Sequence, residues 1–587
     1  MLRLLKYLKP YIWLIIPLVV LTYLQVLANL ELPNYMAKIV DNGIIGEDMS
    51  AIYQNGIHML LVTLAGGIAA VCTGFLASKI ATGLARDLRK KTFEKVEKFS
   101  IAEFNKFSTA SLITRTTNDV QQVQTVTTML FRIVLMAPFM AVGALQNALQ
   151  NAPELSWIIT AATVALLLVV IVLFAFGLPK FKILQKLVDK LNLVTRENLT
   201  GLRVVRAFDN EDIEEQKFNQ ANLDLTKLNI FVNRLMSILQ PFMMFVMNIA
   251  TVAIVWFGAQ LISTGDIEIG GMMAFMQYAV QVIMSFLIFS MIFIMIPRAS
   301  VSANRIIDVI DTDLSIKEPV KHQPLAKDGN GQVEFRDVTF TYPDADNPVL
   351  SGINFTAEPG QTTAFIGSTG SGKSTLINLI PRFYDVSAGQ VLIDGVDIRK
   401  LRLADLYGQV GYVPQKGVLF SGTVKSNIKF GNKNATLKEV KHALKVAQAS
   451  EFVKKLPKKE DNPISQGGTN VSGGQKQRLS IARALAVKPN IYIFDDSFSA
   501  LDFKTDAVLR KELAKETTGK TVLIVGQRVS TIMDSDKIIV LDEGKIVGQG
   551  THDELMESSD IYREIAYSQL SKEELESIRA QRQEVKS

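Results

Sequence analysis

The sequence predicts an all-α membrane half with six transmembrane helices, followed by a soluble α/β half built on a parallel sheet. Long apolar stretches occur only in the first half of the 587 residues, and from Gln332 onward short β-rich runs alternate with helical patterns. A charged stretch with prolines and glycines lies between them and is typical of a linker. We therefore expect a transmembrane domain with two long cytoplasmic helical loops at 1–315, a linker at 316–331, an α/β domain at 332–570 and a charged C-terminal tail at 571–587.

Six stretches of the first half are apolar and long enough to cross a bilayer, which takes about 20 residues each. They lie at Tyr11–Leu30, Ile57–Thr82, Phe131–Gln150, Trp157–Leu178, Pro241–Ser263 and Met272–Ile296. The connecting segments 79–130 and 180–240 are rich in Lys and Arg, whereas the other connections are short and lean acidic. Because basic loops stay in the cytoplasm, we expect a multi-pass protein of the cell (inner or plasma) membrane, with both termini and the α/β domain cytoplasmic.

Charge, cysteine content and the polar residues of the spans argue against several functions. The formal net charge of +6 is modest and gives no reason to expect a nucleic-acid partner. The single cysteine, Cys72, allows no disulfide within the chain, and with four histidines it makes no zinc cluster. No charged residue lies deep in a span, which argues against a proton relay. Methionines and amides favour a roomy, weakly selective cavity over an ion filter, although helix packing explains any single one. The amides are Gln25, Asn29, Gln146, Asn147, Asn248, Gln277 and Gln281.

The most specific motif is G-x-x-x-x-G-K-[ST], which lies between an apolar strand and a helical run. Its glycines let backbone N–H groups approach phosphates, Lys373 neutralises β- and γ-phosphate oxygens, and Ser374 is a ligand for Mg²⁺. Downstream, the apolar run from Ile491 ends in Asp495, an acid that fits a second Mg²⁺ ligand. The pattern predicts binding of ATP or GTP with Mg²⁺. The motif residues are Gly367, Ser368, Thr369, Gly370, Ser371, Gly372, Lys373, Ser374 and Thr375.

A second glycine motif, Val471–Gln475 (VSGGQ), precedes a helical run and is another anion-binding pattern. With the motifs in this order, 332–570 resembles the nucleotide-binding domain of ABC transporters. The spans ahead of it resemble an ABC exporter half-transporter, so the resemblance covers nearly the whole chain. It implies ATP as the nucleotide, held at Walker A (367–375) and at Asp495 in Walker B. It further implies that Tyr342 stacks on adenine, that Gln415 (the Q-loop) is near the metal, and that Asp502 closes the D-loop Ser499–Asp502.

In that family two nucleotide-binding domains pair head to tail, and the signature motif of one completes the ATP site of the other. The resemblance therefore implies a dimer in which Ser472, Gly473, Gly474 and Gln475 act on the ATP of the partner.

Two positions depart from the family pattern. Asp496 stands where the catalytic glutamate is expected, and Gln527 stands where a switch histidine is expected. The aspartate is shorter by one methylene, about 1.5 Å, which is comparable to a misplacement that costs on the order of 10²-fold in rate. Glutamine cannot carry a positive charge or relay a proton. We therefore expect ATP to bind at this chain's own site and to be hydrolysed poorly there.

The leading functional hypothesis is the degenerate-site subunit of a heterodimeric exporter, which resembles bacterial heterodimeric multidrug ABC exporters. A homologous half-transporter would then supply the catalytic Glu and the switch His. The cargo would be amphipathic small molecules, multidrug or lipid-like, moved out of the cytoplasm. Two alternatives stay open: a homodimeric lipid flippase with slow hydrolysis, and a regulatory ATP-binding subunit or part of an ATP-gated channel.

Overall fold

The structure, a computed structural model, describes residues 2–325 and 329–570. It forms two compact units. Among these residues the first unit combines 2–97 with 109–312, and the second combines 98–108 with 313–325 and 329–570. The predicted tail at 571–587 and residues 326–328 of the predicted linker lie outside the described residues.

The first half of the chain is helical, as its apolar pattern predicts. The π-helical segment Ile39–Ile45 continues directly from the second α-helix, and the π-helical segment Leu130–Val134 lies between the sixth and the seventh. The helices are α1 (Leu5–Leu8), α2 (Ile12–Lys38), α3 (Met49–Val96), α4 (Ile101–Phe107), α5 (Thr109–Thr116), α6 (Asn118–Met129), α7 (Met136–Asn151), α8 (Ser156–Ala207), α9 (Glu211–Ser237), α10 (Leu239–Thr264) and α11 (Ile269–Ile310).

Four of the six predicted spans fall within one of these helices; the span Tyr11–Leu30 begins one residue before α2, and the span Phe131–Gln150 includes part of the π-helical segment Leu130–Val134 as well as α7. Of the described residues, five helical segments are long and apolar enough to cross a membrane, and the span predicted at Trp157–Leu178 is represented by the shorter apolar helix Pro153–Val169. α3 has 48 residues and α8 has 52. At 1.5 Å per residue these helices are about 72 and 78 Å long, more than twice the ~30 Å hydrocarbon thickness. Both helices therefore continue well beyond the membrane.

Local sequence determines where several of these helices begin and end. Asp48 precedes α3, and its carboxylate accepts a hydrogen bond from the Ser50 backbone N–H, which satisfies a free donor of the first turn. α10 ends at Gly265, whose φ of 80° is a conformation that glycine adopts without steric cost. The core of the bundle is built from α2, α7, α8, α10 and α11, around buried Phe275 and Tyr278.

The second half of the chain is α/β. Its strands are β1 (Val333–Phe340), β2 (Leu350–Ala357), β3 (Thr362–Gly367), β4 (Ala388–Ile393), β5 (Val396–Asp397), β6 (Val410–Val413), β7 (Gly422–Thr423), β8 (Pro463–Ile464), β9 (Ile491–Asp495), β10 (Thr521–Val525), β11 (Lys537–Asp542) and β12 (Lys545–Gly550). Its helices are α12 (Lys373–Leu379), α13 (Leu403–Gln409), α14 (Val424–Lys429), α15 (Leu437–Val446), α16 (Ser450–Lys455), α17 (Gly473–Val487), α18 (Phe503–Glu516), α19 (Val529–Ile532), α20 (His552–Ser558) and α21 (Asp560–Gln569).

The central sheet explains how distant motifs meet. Among the described residues its strands run in the order β12-β11-β3-β10-β9-β6, with β11, β3, β10, β9 and β6 parallel and β12 antiparallel at the edge. Alternate residues of these strands fill two apolar clusters, one on each face, as with Phe365 on one side and Ile366 on the other. Because parallel strands end at one edge, the segments after β3, β6, β9 and β10 come together there.

The short helix α4 belongs to the second unit, although it lies between membrane helices in the sequence. Ile101 and Ala102 pack against the apolar cluster beside the central sheet. Glu103 closes a capping box with Ser100, and its other carboxylate oxygen accepts the backbone N–H of Ser315 over 2.9 Å. The two parts of the second unit, far apart in sequence, are thus joined by both apolar packing and hydrogen bonds.

Candidate functional site

The glycine motif forms the loop between β3 and α12, where backbone conformation requires glycine. Gly372 has a φ of 95°, and a Cβ there would approach the side chain of Leu350 at 2.7 Å. At Gly367 a Cβ would collide with the carbonyl oxygen of Leu541. A loop of this kind brings backbone N–H groups close to a bound phosphate, because no side chains stand in the way.

This loop lines a cavity of about 500 Å³. Lys373 bends over the loop, and its ammonium donates to the carbonyl oxygens of Gly367 and Ser368 at 3.0 and 2.7 Å. Burial lowers the pKa of Lys373, and the nearby Asp496 and Asp495 act in the opposite direction. The lining residues are Val349, Gly367, Ser368, Thr369, Gly370, Gly372, Lys373, Ser374, Thr375, Gln415, Gln527, Ile565, Ser568 and Gln569.

Two oxygen donors suited to Mg²⁺ meet at the end of β9. The Ser374 hydroxyl donates to Asp495 Oδ1 over 3.0 Å, and the Asp495 side chain is buried. Burial raises the pKa of Asp495 although the Ser374 hydroxyl and Lys373 favour its charged form. A buried carboxylate beside a hydroxyl is a fitting start for Mg²⁺, which prefers oxygen ligands and would supply charge neutralisation at phosphate oxygens. The residues present therefore fit the expected ATP and Mg²⁺.

Asp496 and the two glutamines form a compact hydrogen-bonded group. Asp496 Oδ2 accepts the Gln527 side-chain amide over 2.8 Å and the Gln415 side-chain amide over 3.1 Å. The aspartate has a φ of 45°, and its carbonyl oxygen accepts the Ser499 hydroxyl over 2.9 Å. The three side chains come from the segments after β9, β10 and β6, as the sheet order requires. One carboxylate oxygen is thus held by two neutral donors at the rim of the nucleotide cavity.

The signature motif lies apart from this cavity. Ser472 caps α17 and accepts the Gln475 backbone N–H, while the Gln475 side chain accepts the Ser472 N–H over 3.0 Å. Ser472 and Gly473 are exposed, and Gly474 faces the carbonyl oxygen of Ala500. Asp502 similarly caps α18 through the Thr505 N–H, and this backbone hydrogen bond lowers the pKa of Asp502. Among the described residues that line the nucleotide cavity, none belongs to the signature.

Tyr342 also lies outside the set of described residues that line the cavity. Its hydroxyl is within 2.9 Å of the Thr375 hydroxyl, and its ring meets Tyr384 edge to face at 5.3 Å. The structure therefore connects the predicted adenine-stacking residue to the last residue of the glycine motif.

Sequence reasoning missed the contribution of α21, the last helix among the described residues. Ile565, Ser568 and Gln569 of α21 line the cavity opposite the glycine loop. Gln569 also makes two hydrogen bonds to the backbone around Gln527. No local motif marks these residues, which follow the position of the switch histidine by about 40 residues in an ordinary amphipathic helix.

In the membrane half, the polar amides differ in their surroundings. The Gln25 amide of α2 donates to the sulfur of Met136 in α7 over 3.8 Å. Others, Gln146, Asn248 and Gln277, are exposed on the surface of the single chain. Met243 is buried in the apolar core of the bundle, and Met272 and Met276 pack against it.

Comparison with known proteins gives matches over nearly the full length. The family models of the ABC transporter transmembrane region and of the ABC transporter match residues 14–286 and 350–499. An uncharacterized ABC transporter ATP-binding protein of Mycobacterium tuberculosis is 40% identical over 568 residues, which cover 96% of this chain and 97% of that protein. An ATP-dependent lipid A-core flippase of Syntrophus aciditrophicus is 32% identical over 520 residues, 85% of this chain and 83% of the flippase. The solved structure of a bacterial Atm1-family ABC exporter with ATP bound superimposes with a TM-score of 0.79 at 24% identity, covering 96% of this chain and 99% of that one.

Proposed function

Since the chain belongs to the ABC transporter family and combines its transmembrane and ATP-binding regions, as ATP-driven exporters do, we propose that it is the degenerate-site subunit of a heterodimeric exporter. It binds ATP and Mg²⁺ through its own Walker motifs and hydrolyses that ATP slowly. Its signature motif completes the active site of a homologous half-transporter that carries a catalytic Glu and a switch His. The cargo is an amphipathic small molecule, multidrug or lipid-like, exported from the cytoplasm.

The arrangement around Asp496 carries this proposal. Both glutamine amides donate to the same carboxylate oxygen, at 2.8 and 3.1 Å. Both amides occupy acceptor positions of the oxygen that would otherwise accept a hydrogen bond from a water molecule. Neither amide titrates, so neither can deliver or accept a proton during the reaction. Asp496 thus has neither the reach of a glutamate nor the imidazole partner of a good catalyst.

Binding groups are retained at the same site. Lys373, Ser374 and Asp495 line or adjoin the cavity, and all three have the chemistry that phosphate and Mg²⁺ need. Ser472, the N-cap of α17, and Gly473 are exposed and therefore accessible to a nucleotide held by another chain. Retained binding groups, weak catalytic groups and an intact signature together favour a heterodimer, in which this chain binds ATP and the partner chain supplies the catalytic Glu and the switch His.

The exposed amides of the membrane helices support a partner and a polar cavity. Gln146, Asn248 and Gln277 lie in apolar helices, yet they are exposed on the single chain. Polar groups facing hydrocarbon cost free energy, so such residues normally face protein or water. A second half-transporter packed against these faces would enclose them, and the cavity so formed would suit amphipathic cargo.

A homodimeric lipid flippase is the second candidate. The observation that favours it is the 32% identity to the lipid A-core flippase of Syntrophus aciditrophicus. In that case the same chain would supply both ATP sites, and both would carry Asp496 and Gln527.

ATP hydrolysis by the purified chain separates the two candidates. The full chain in lipid nanodiscs is assayed alone and then together with the half-transporter that co-purifies with it from its native membrane. We expect slow turnover alone and a large increase in the mixture, which is lost when the partner's Walker B glutamate is changed to Gln. Vigorous turnover by this chain alone would overturn the heterodimer.

Transport in vesicles then tests the cargo. Inside-out vesicles that contain the complex are given either an amphipathic fluorescent dye or a fluorescent short-chain phospholipid in the outer leaflet. Uphill dye accumulation driven by ATP supports multidrug export, whereas movement of the lipid alone supports a flippase. Current or passive flux gated by ATP, without uphill movement, would contradict both and favour a channel subunit.

A further inference from the structure

We propose that Gln569, at the end of α21, is a positioning residue for the switch position: it holds the backbone on both sides of Arg528 and thereby aims Gln527 at Asp496. The Val529 N–H donates to Gln569 Oε1 over 2.8 Å, and Gln569 Nε2 donates to the Gln527 carbonyl oxygen over 2.8 Å. The inference rests on the proposed function for its consequence but not for its geometry.

A carboxamide is the side chain suited to this double contact. It offers one acceptor and two donors in a plane, and only one of its two flip orientations satisfies both an N–H and a carbonyl group. Val529 is the first residue of α19, a helix of one turn, so its N–H has no partner within that helix. Gln569 thus supplies from another helix what a capping residue normally supplies within the sequence.

The helix that carries Gln569 is firmly packed. Tyr562 of α21 is fully buried, and its hydroxyl lies 2.7 Å from the Nδ1 atom of buried His552. Ala566 is fully buried, and Ile565 packs against the same apolar cluster. Because α21 cannot shift easily, the carboxamide at its end keeps the switch backbone at a defined place.

The hydrogen bonds then continue to the reaction centre. Gln569 holds the Gln527 carbonyl, the Gln527 side-chain amide donates to Asp496 Oδ2, and Gln569 itself lines the nucleotide cavity. At a site that retains ATP, the contact of Gln569 with the Gln527 carbonyl keeps the segment Gln527–Val529 closed over the nucleotide. Loss of Gln569 should therefore speed ATP release while the affinity of the Walker residues for phosphate stays nearly unchanged.

Two substitutions separate the two hydrogen bonds, and one serves as a control. Gln569→Ala removes both. Gln569→Glu keeps an acceptor for the Val529 N–H but places a carboxylate against the Gln527 carbonyl oxygen. Glu564→Ala changes an exposed residue of the same helix. All three are made in the full chain in lipid nanodiscs, with thermal melting as the check on folding.

Amide hydrogen exchange gives the first readout. A net hydrogen bond to a neutral group is worth up to roughly a tenfold change in opening, so Gln569→Ala should speed exchange of the Val529 amide about tenfold. Gln569→Glu and Glu564→Ala should leave it close to wild type. Wild-type exchange at Val529 in Gln569→Ala, with the melting temperature unchanged, would overturn the inference.

Nucleotide release gives the second readout. The complex is loaded with radiolabelled ATP and Mg²⁺ and chased with unlabelled ATP, and the slow phase reports the site of this chain. Both Gln569 variants should shorten that phase several-fold without a matching change in ATP affinity, whereas Glu564→Ala should not. An unchanged slow phase despite faster Val529 exchange would also overturn the positioning role. If the wild-type complex has no slow phase, the proposed function fails. The role of Gln569 is then tested by steady-state ATPase: kcat should fall in Gln569→Ala while KM for ATP stays constant, and an unchanged kcat in that variant would overturn the positioning role.

Discussion

Lengthening the acid at position 496 should raise ATP hydrolysis only part of the way to the rate expected of a site with both Glu and His, because Asp496 is hydrogen-bonded to Gln527. The substitution Asp496→Glu adds a methylene and moves the carboxylate by about 1.5 Å. The present hydrogen bonds to the Gln527 and Gln415 amides measure 2.8 and 3.1 Å. N–H···O bonds are mostly 2.7–3.2 Å long, so a shift of that size breaks one bond or displaces a glutamine.

The magnitude follows from two general effects. A misplacement of about 1 Å at a reacting group costs on the order of 10²-fold, and a positioned acid–base residue contributes roughly 10²–10⁴-fold. Asp496→Glu recovers reach, but the neutral amide at 527 still holds the carboxylate, so we expect about a tenfold gain. The double variant Asp496→Glu/Gln527→His supplies an imidazole as well, and we expect a gain of about 10²–10³-fold.

Single-turnover hydrolysis measures this directly. The chain alone, in excess over radiolabelled ATP, is followed for phosphate release at several pH values, and only the variant that carries the Gln527→His change should show a titration near neutral pH. Two controls match the changes: Lys373→Ala disables phosphate binding, and Asp496→Glu/Gln549→His adds a histidine at an exposed glutamine of β12 instead. Equal activity of Asp496→Glu and the double variant would refute the reasoning, since Gln527 would then be irrelevant.

Three further outcomes follow from Asp495, Glu103 and Gly367. Burial raises the pKa of Asp495, so ionisation of Asp495 destabilises the folded chain as the pH rises through the folded-state pKa. Asp495→Asn should therefore raise the melting temperature of the Mg²⁺-free chain by a few degrees at neutral pH and weaken Mg²⁺-dependent ATP binding, and fluorimetry measures both effects. Burial raises the pKa of Glu103, but the hydrogen bonds from Ser315 and Ser100 outweigh this effect and leave the pKa lowered, so the Glu103 carboxylate stabilises the fold at neutral pH and this stabilisation is lost on acidification below its ordinary pKa of 4.5. Glu103→Gln should therefore lower the free energy of unfolding in urea by about 1–2 kcal/mol at pH 7 and remove that acid dependence. Gly367→Ala should abolish ATP binding and lower the yield of folded protein, because its Cβ collides with the Leu541 carbonyl, whereas Gly408→Ala, in open space, should do neither.

The fold could be predicted because its signals are local. A run of about 20 apolar residues can satisfy its backbone in a membrane only as a helix, so the spans were recognisable one at a time. The glycine motif is likewise recognisable from the sequence alone, since the backbone conformations at Gly367 and Gly372 exclude other residues. The ABC transporter family membership, predicted from the ordered motifs, is confirmed by relatives that match 96% and 85% of the chain.

The site was less predictable where contacts depend on the tertiary structure. Gln569 reaches Gln527 only because α21 packs beside α19, and an exposed glutamine at a helix end has no sequence signal of its own. The sequence likewise suggested nothing of the bond between Tyr342 and Thr375. Asp496 and Gln527 were singled out as departures, yet their direct hydrogen bond, and its sharing with Gln415, required the strand order of the central sheet.

The membership of α4 in the second unit has a consequence for biosynthesis. About 200 residues separate Ser108 from Asp313, and ribosomes add about 5–20 residues per second. Ile101 and Ala102 are therefore made roughly 10–40 s before synthesis of the rest of the second unit begins, and their packing partners, which start at Val333, follow later still. Four predicted membrane spans must be inserted during that interval. The second unit is thus completed only after a chain segment with four of the six predicted spans has been made, so a delay in inserting any of those helices prolongs the exposure of Ile101 and Ala102 before they can pack.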